Sequence, residues 1–467
     1  MNMKRNSAVS IVVTFIVLVM MRPAWAQANS AASQPGSPSS EDQSASGQGK
    51  ILDDTRPLTG AEYLSLGTPE RDRNVVTASI QADERADSNP SNATTDSSWK
   101  ADTDLYGTAM LNRSWKRNSF VMQYAGGGSY IQESDLQSTQ FLKASQVFGF
   151  QRAALTLSDQ VTYSPEAPFG YPGPWAFSIG NVGTKPVLIP NQTVLTQEAT
   201  RVSNVSVAEL DYGLTRRSSL TALASYGLLD FFTTGVVNSN QVNGTVGYNY
   251  ALTPHNKFAL AYGYTGIDFL DASLNTTNTH SKTEVQTASA SYGFQATGRL
   301  SFQLAAGSQL VKSFIPGSAE LTNLYPYGQF VMTYAWHRTT LGLLGSQSIL
   351  SGGGLYPASR ATLAQASLSR LLSRRWEGAV LAGYARNSPL QTYLGTASQL
   401  SNTGYAGATV RRSLGRHAGL YLLYNFQRQE VNSFCTGVLC AQSYLRHSAG
   451  VGIDWRFTPW YLHVTEN

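Results

Sequence analysis

Near the end of the chain, residues 450–457 read GVGIDWRF, with Val451, Ile453, Trp455 and Phe457 alternating with Gly450, Gly452, Asp454 and Arg456. Successive side chains of a strand project to opposite faces, so this stretch predicts a strand with one apolar face and one charged or bare face. The same period of two recurs upstream. Val242, Gly244, Val246, Tyr248 and Tyr250 oppose Asn243, Thr245, Gly247 and Asn249, and Phe258, Leu260, Tyr262 and Tyr264 share one face of the next segment. Leu300, Phe302, Leu304 and Ala306, then Phe330, Met332, Tyr334 and Trp336, then Leu420, Leu422, Tyr424 and Phe426 repeat it. A soluble sandwich would pack such apolar faces on a second sheet. A membrane barrel would turn them to lipid and leave the polar faces lining a wet interior.

The connections decide between the two. Tight turns are expected at 113–118, 150–154, 215–219, 253–257, 297–299, 337–340, 373–376 and 414–417, and longer polar connections lie between them. Strict alternation of tight turns with long loops is the asymmetry of outer-membrane barrels, whose short turns are periplasmic; a sandwich has no reason to sort its loops by length. Eight tight turns join sixteen strands, and 74–84 and 447–457 supply one more at each end. The expected fold is therefore an all-β, transmembrane, antiparallel barrel of about 18 strands, with 16 as the alternative. The barrel is placed at 73–458, followed by a C-terminal tail at 459–467.

The amino terminus adds a location. Lys4 and Arg5, an apolar run from Ala8 to Met21, and Ala24-Trp25-Ala26 make the three parts of a cleavable secretory signal over 1–26. Residues 27–72 are expected to be a disordered periplasmic lead-in; 27–50 is mostly Ser, Gln, Gly and Pro with almost nothing strongly apolar, and cannot offset the entropy of ordering. Removing the signal with its three cations lowers the formal charge from +5 to +2, so the basic balance does not imply nucleic acid. Charged residues make up 13% of the chain, about half the norm near 25% for soluble domains, which suits a wall bathed in lipid. Basic residues crowd the tight turns while acids gather toward the long loops.

Candidate chemistry is sparse. Cys435 and Cys440, in CTGVLC, read as a disulfide in the last external loop, since exported chains with an even cysteine pair at short spacing oxidise it. The connection 164–198 is long and rich in aromatic and aliphatic residues, including Phe169, Tyr171, Trp175 and Phe177, with Lys185 near its middle. It resembles by position the third loop of general porins, which folds inward and narrows the channel; packing over the mouth, a partner surface and plain packing on the wall are the alternatives. Alternation nominates Glu209, Asp211, Arg386, Arg411, Asp454 and Arg456 as charges facing the interior. Both signs occur, which predicts weak ion selectivity, and ion pairs that merely hold the wall together are the competing reading.

No GxSxG, Walker or HExxH motif is present, and of the histidines only His447, near Ser443 and Ser448, falls by the outer rim, so no enzyme, metal or cofactor is expected.

DSNP (87–90), YAGGG (124–128), YSPEAPFG (163–170) and RRSSLTALASYGLLDF (216–231), behind a signal and a disordered lead-in, resemble a group of large, poorly characterised outer-membrane β-barrel proteins of Gram-negative soil bacteria. That resemblance implies a porin-like fold and an outer-membrane location, and no functional residues. The spacing Gly452, Trp455, Phe457 also resembles the signal read by the outer-membrane assembly machinery, although here the chain continues past the aromatic residue. Expected partners are outer-membrane lipid, that machinery, and small hydrophilic solutes or a polysaccharide. A passive or weakly selective pore leads the expected functions; an exopolysaccharide export channel, a structural barrel and, last, an outer-membrane hydrolase follow.

Overall fold

The structure, a computed structural model, describes residues 74–462 except 91–98, 116, 133–135, 165–199, 233–236, 271–280, 298, 315–319, 353–355, 391–399 and 432–442. The described residues form strands β1 (Val75–Asp87), β2 (Lys100–Ser114), β3 (Asn118–Ile131), β4 (Leu136–Gly149), β5 (Ala153–Ser164) and β6 (Arg201–Gly213). There follow β7 (Ser218–Phe231), β8 (Asn238–Thr253), β9 (Asn256–Leu270), β10 (Ser281–Thr297), β11 (Leu300–Phe314) and β12 (Leu321–Trp336). The wall is completed by β13 (Thr339–Gly352), β14 (Tyr356–Leu371), β15 (Trp376–Pro389), β16 (Ser401–Ser413), β17 (Ala418–Val431) and β18 (Tyr444–Arg456), with a two-residue β19 (Trp460–Tyr461). Each of β1 to β17 pairs antiparallel with the next, and β18 pairs with β1 from Ser79↔Arg456 to Asp87↔Ser448, closing an 18-strand barrel.

All eight tight turns fall where the sequence places them. At the two-residue turn between β12 and β13, His337 has φ 50°. Two-residue hairpin turns need positive φ to match the right-handed twist of their strands, and His337 accepts it at some cost.

Apolar alternation sorts the side chains. Val242, Val246, Leu260, Tyr262, Leu304, Leu422, Val451 and Ile453 stand exposed on the outside. On the opposite faces of the strands, Asn249, Thr221, Ser291, Asn425 and Asp454 are buried on the inside. A broad apolar exterior on a closed sheet is stable only against hydrocarbon, so the barrel spans a membrane, and its location is the outer membrane. No helix among the described residues is long and apolar enough to cross one.

The chain does not end as a loose tail at 459. Phe457 N–H donates to Ala78 O at 3.0 Å, then Val75 and Val76 pair with Tyr461 and Trp460 in a register shifted by one residue. Pro459 falls in the resulting bulge, a position where a missing N–H does least harm.

Candidate functional site

The chemistry of a barrel lies on its inner face, and its densest part here spans five adjacent strands, β16, β17, β18, β1 and β2. On β1, Asp83, Arg85 and Asp87 project inward, and β2 answers with Asp102 and Asp104. Arg85 reaches Asp83 at 3.2 Å and Asp102 at 2.8 Å, and also pairs with Asp104. Ser129 on β3 donates to Asp102. Asp87 accepts from Arg446 Nε on β18 at 2.8 Å and from the Asn89 backbone N–H at 3.0 Å. Further along, Arg411 grips Asp454 in a two-pronged contact at 3.0 and 2.8 Å while its third nitrogen donates to Ser413 at 3.0 Å. Arg456 lies 3.7 Å from the same carboxylate.

Glycines let partners two strands apart meet. Arg411 on β16 and Asp454 on β18 join across Gly419 of β17, where a Cβ would come within 2.6 Å of Arg411 Nη2. Tyr421 on β17 donates to Asp83 on β1 at 2.8 Å across Gly452 of β18. Tyr405 on β16 donates to Gln365 on β14 at 2.9 Å across Gly383 of β15, where a Cβ would meet Tyr405 Cε1 at 2.8 Å. In each case the bare backbone leaves a slot filled by the neighbour's side chain, which ties three strands together.

Of the six charges nominated by alternation, Glu209, Asp211, Arg411, Asp454 and Arg456 lie on the inner face. Asp211 accepts from Thr221 at 2.8 Å. Arg386 is a correction. It alternates with buried Ala385 and Asn387 and shares the outer face with Val380 and Tyr384. Its strand carries small residues on both faces, so polarity alone does not fix its phase; near the long-loop end the long side chain can carry its charge to the headgroups. His447 also points outward, 2.9 Å from Tyr424 Oη and beside Phe426, while Ser448 points inward, so the two do not meet. Phe169, Tyr171, Trp175, Phe177, Lys185, Cys435 and Cys440 lie outside the described residues.

The sequence reading overlooked Asp83, Arg85, Asp87, Asp102, Asp104, Arg446 and Tyr421 as one constellation. The signal for the first five was the spacing Asp-x-Arg-x-Asp on one strand and Asp-x-Asp on the next, which puts Asp83, Arg85, Asp87, Asp102 and Asp104 on one face while Glu84 faces the other way.

The most completely buried side chains gather toward the long-loop end of the wall, with Thr221 near the tight-turn end of β7 as an exception. Phe269, Ile267, Gln429, Val311, Asn387, Thr283, Thr403, Asp87 and Asp104 are among the largest fully buried side chains, and all lie toward the long-loop end of their strands.

No protein-family model matches the chain, and no curated protein sequence matches it. Among solved structures, it is similar to the ferric citrate transporter FecA in the unliganded form, at 11% identity and TM-score 0.40 over 80% of this chain. That match spans 63% of FecA's length. Acinetobacter baumannii OccAB3 matches at 10% identity and TM-score 0.40, over 82% of this chain and 99% of that one. A BenF-like porin from Pseudomonas fluorescens Pf-5 matches at 11% identity and TM-score 0.41, over 84% and 99%. Likeness this distant carries no solute or mechanism across.

Proposed function

We propose that the barrel is an outer-membrane, porin-like channel for passive or weakly selective passage of small hydrophilic solutes, narrowed by the loop 164–198. The observation that carries this reading is the inner face itself: Ser, Thr, Asn and Gln side chains with charges of both signs, on a wall of eighteen strands. A wall of that size encloses more space than its own side chains fill. Paired charges such as Arg411 and Asp454 cancel at close range, which favours weak selectivity over a strong field. The gathering of fully buried side chains toward the long-loop end favours a constriction there, and 164–198 is the longest connection between strands on that side.

The test is single-channel conductance in planar bilayers, comparing the wild-type protein with a deletion of residues 173–186. Conductance in both, larger for the deletion, is the expected result. Equal conductance would place the constriction elsewhere, and a silent wild type with a conducting deletion would make the barrel a gated exporter. Silence from both, with folded barrels, would remove the channel reading.

A further inference from the structure

The wall is not paired with equal completeness all the way round. β12 and β13 are hydrogen-bonded from Trp336↔Thr339 up to Gly328↔Gln347, and among the described residues their pairing stops there. Both strands continue: β12 stays paired with β11 as far as Ser313↔Leu321, and β13 stays with β14 as far as Gly352↔Tyr356. Toward the long loops the two strands therefore part.

Pro326 stands at the parting. It has no N–H to offer β13, and its carbonyl accepts from the Gln347 side chain at 3.4 Å. On the other side, Ile349 N–H is met at 3.2 Å by the side chain of Gln309 from β11, two strands away. A side chain from inside the barrel thus does what a neighbouring strand does elsewhere.

The faces show where the upper end of β13 has gone. Ile349 and Ala358 lie on the side of their strands that lower down carries Leu343 and Leu368 to the exterior. Here Ile349 packs against Val285 and Val311, and Ala358 against Ile267 and Phe269, all from the inner face of β9 to β11. The upper ends of β13 and β14 have slid beneath β9 to β11, so two layers of wall overlap and β14 approaches β10. Tyr325 packs on this overlap, while Leu324, one residue away, is 69% exposed on the exterior.

We infer that this overlap is a lateral port, through which the acyl chain of an outer-leaflet lipid or lipid-like molecule enters the upper barrel between β12 and β13. The two layers are joined by apolar contacts among Val285, Val311, Ile349, Ile267, Phe269 and Ala358, with the Gln309 bond to Ile349 the one polar tie among these residues. Sliding them apart breaks no strand ladder, and a hydrocarbon chain can replace the lost contacts with others of the same kind. A polar solute could not. The port opens at lipid-exposed Leu324, on the half of the wall that faces the outer leaflet.

The experiment places a photoreactive benzoylphenylalanine at Tyr325 in the full-length protein in outer membranes. Irradiation is followed by mass spectrometry of the folded, heat-modifiable fraction. Tyr262, exposed on the lipid face, and Tyr106, buried on the inner face of β2, are the positive and negative controls. Lipid adducts at Tyr325 should approach the level at Tyr262, with none at Tyr106. Pro326→Thr, which restores an N–H at the parting, should lower the Tyr325 adducts several-fold and leave Tyr262 unchanged. Adducts at Tyr325 no higher than at Tyr106, or adducts unaffected by Pro326→Thr, would overturn the port. Conductance does not enter the readout, so the result is separate from that of the channel.

Discussion

Replacing Gly383 by Ala tests whether the glycine slots hold the wall together. A Cβ there would meet the Tyr405 ring at 2.8 Å from Cε1 and closer still to Cζ and Oη, with no other atom among its three nearest. Non-bonded carbons settle at about 3.5–4.0 Å, so the ring must move by roughly 1 Å. That displacement breaks the 2.9 Å bond from Tyr405 to Gln365. Losing a neutral hydrogen bond costs about 0.5–1.5 kcal/mol, and overpacking a filled site costs about 1–3 kcal/mol. The expected destabilisation is about 2–4 kcal/mol, read as a shift in denaturant unfolding of the vesicle-reconstituted barrel by tryptophan fluorescence. The decisive comparison is the same substitution in a Tyr405→Ala background. With the ring gone, Gly383→Ala should be neutral or stabilise by up to about 1 kcal/mol, since alanine restricts the unfolded chain more than glycine does. A cycle of the four proteins isolates the coupling. If Gly383→Ala costs the same in both backgrounds, the ring does not occupy the slot and the reasoning fails.

Two further substitutions probe the wall. Val246→Arg, on the exposed outer face near the middle of β8, should cost about 2–4 kcal/mol, whereas the adjacent inward Thr245→Arg should cost far less; equal costs in vesicle unfolding would mean that the two faces are misassigned. Arg85→Ala leaves the buried carboxylates of Asp83, Asp102 and Asp104 without their shared cation and should cost about 3–5 kcal/mol, seen as a lower temperature for the heat-induced mobility shift. A shift no larger than that of an exposed arginine such as Arg374→Ala would show that those carboxylates do not depend on it.

Much of the wall was legible because a membrane barrel writes itself in two simple codes, alternation along each strand and length at each turn. Tyr248 and Asn249 must part company in any strand, and TPHNK can only be a turn, so strand number and facing followed from local rules. Arg386 was placed wrongly because its neighbours Ala382, Gly383 and Ala385 are small on both faces and give the alternation nothing to hold. The charge constellation of β16 to β2 was legible only in part. Asp83 and Asp454 are 371 positions apart, and nothing local says that a tyrosine from a third strand will reach across Gly452. The parting of β12 and β13 was invisible as well, since Pro326 marks a weak point but not the direction in which β13 then moves.

The glycine slot at Gly452 bears on how the barrel is made and how it comes apart. Tyr421 can reach Asp83 only after the last strand has met the first, so that bond cannot exist in any partly assembled sheet. Closure thus adds a fastening that no earlier step contains, and it fastens the edges that a growing sheet leaves free longest. The bond draws β17 onto β1 over the closing pair, while among the described residues β12 and β13 share no ladder beyond Gly328↔Gln347. Under force or denaturant, rupture should begin at β12 and β13, in the middle of the chain, rather than where its two ends join.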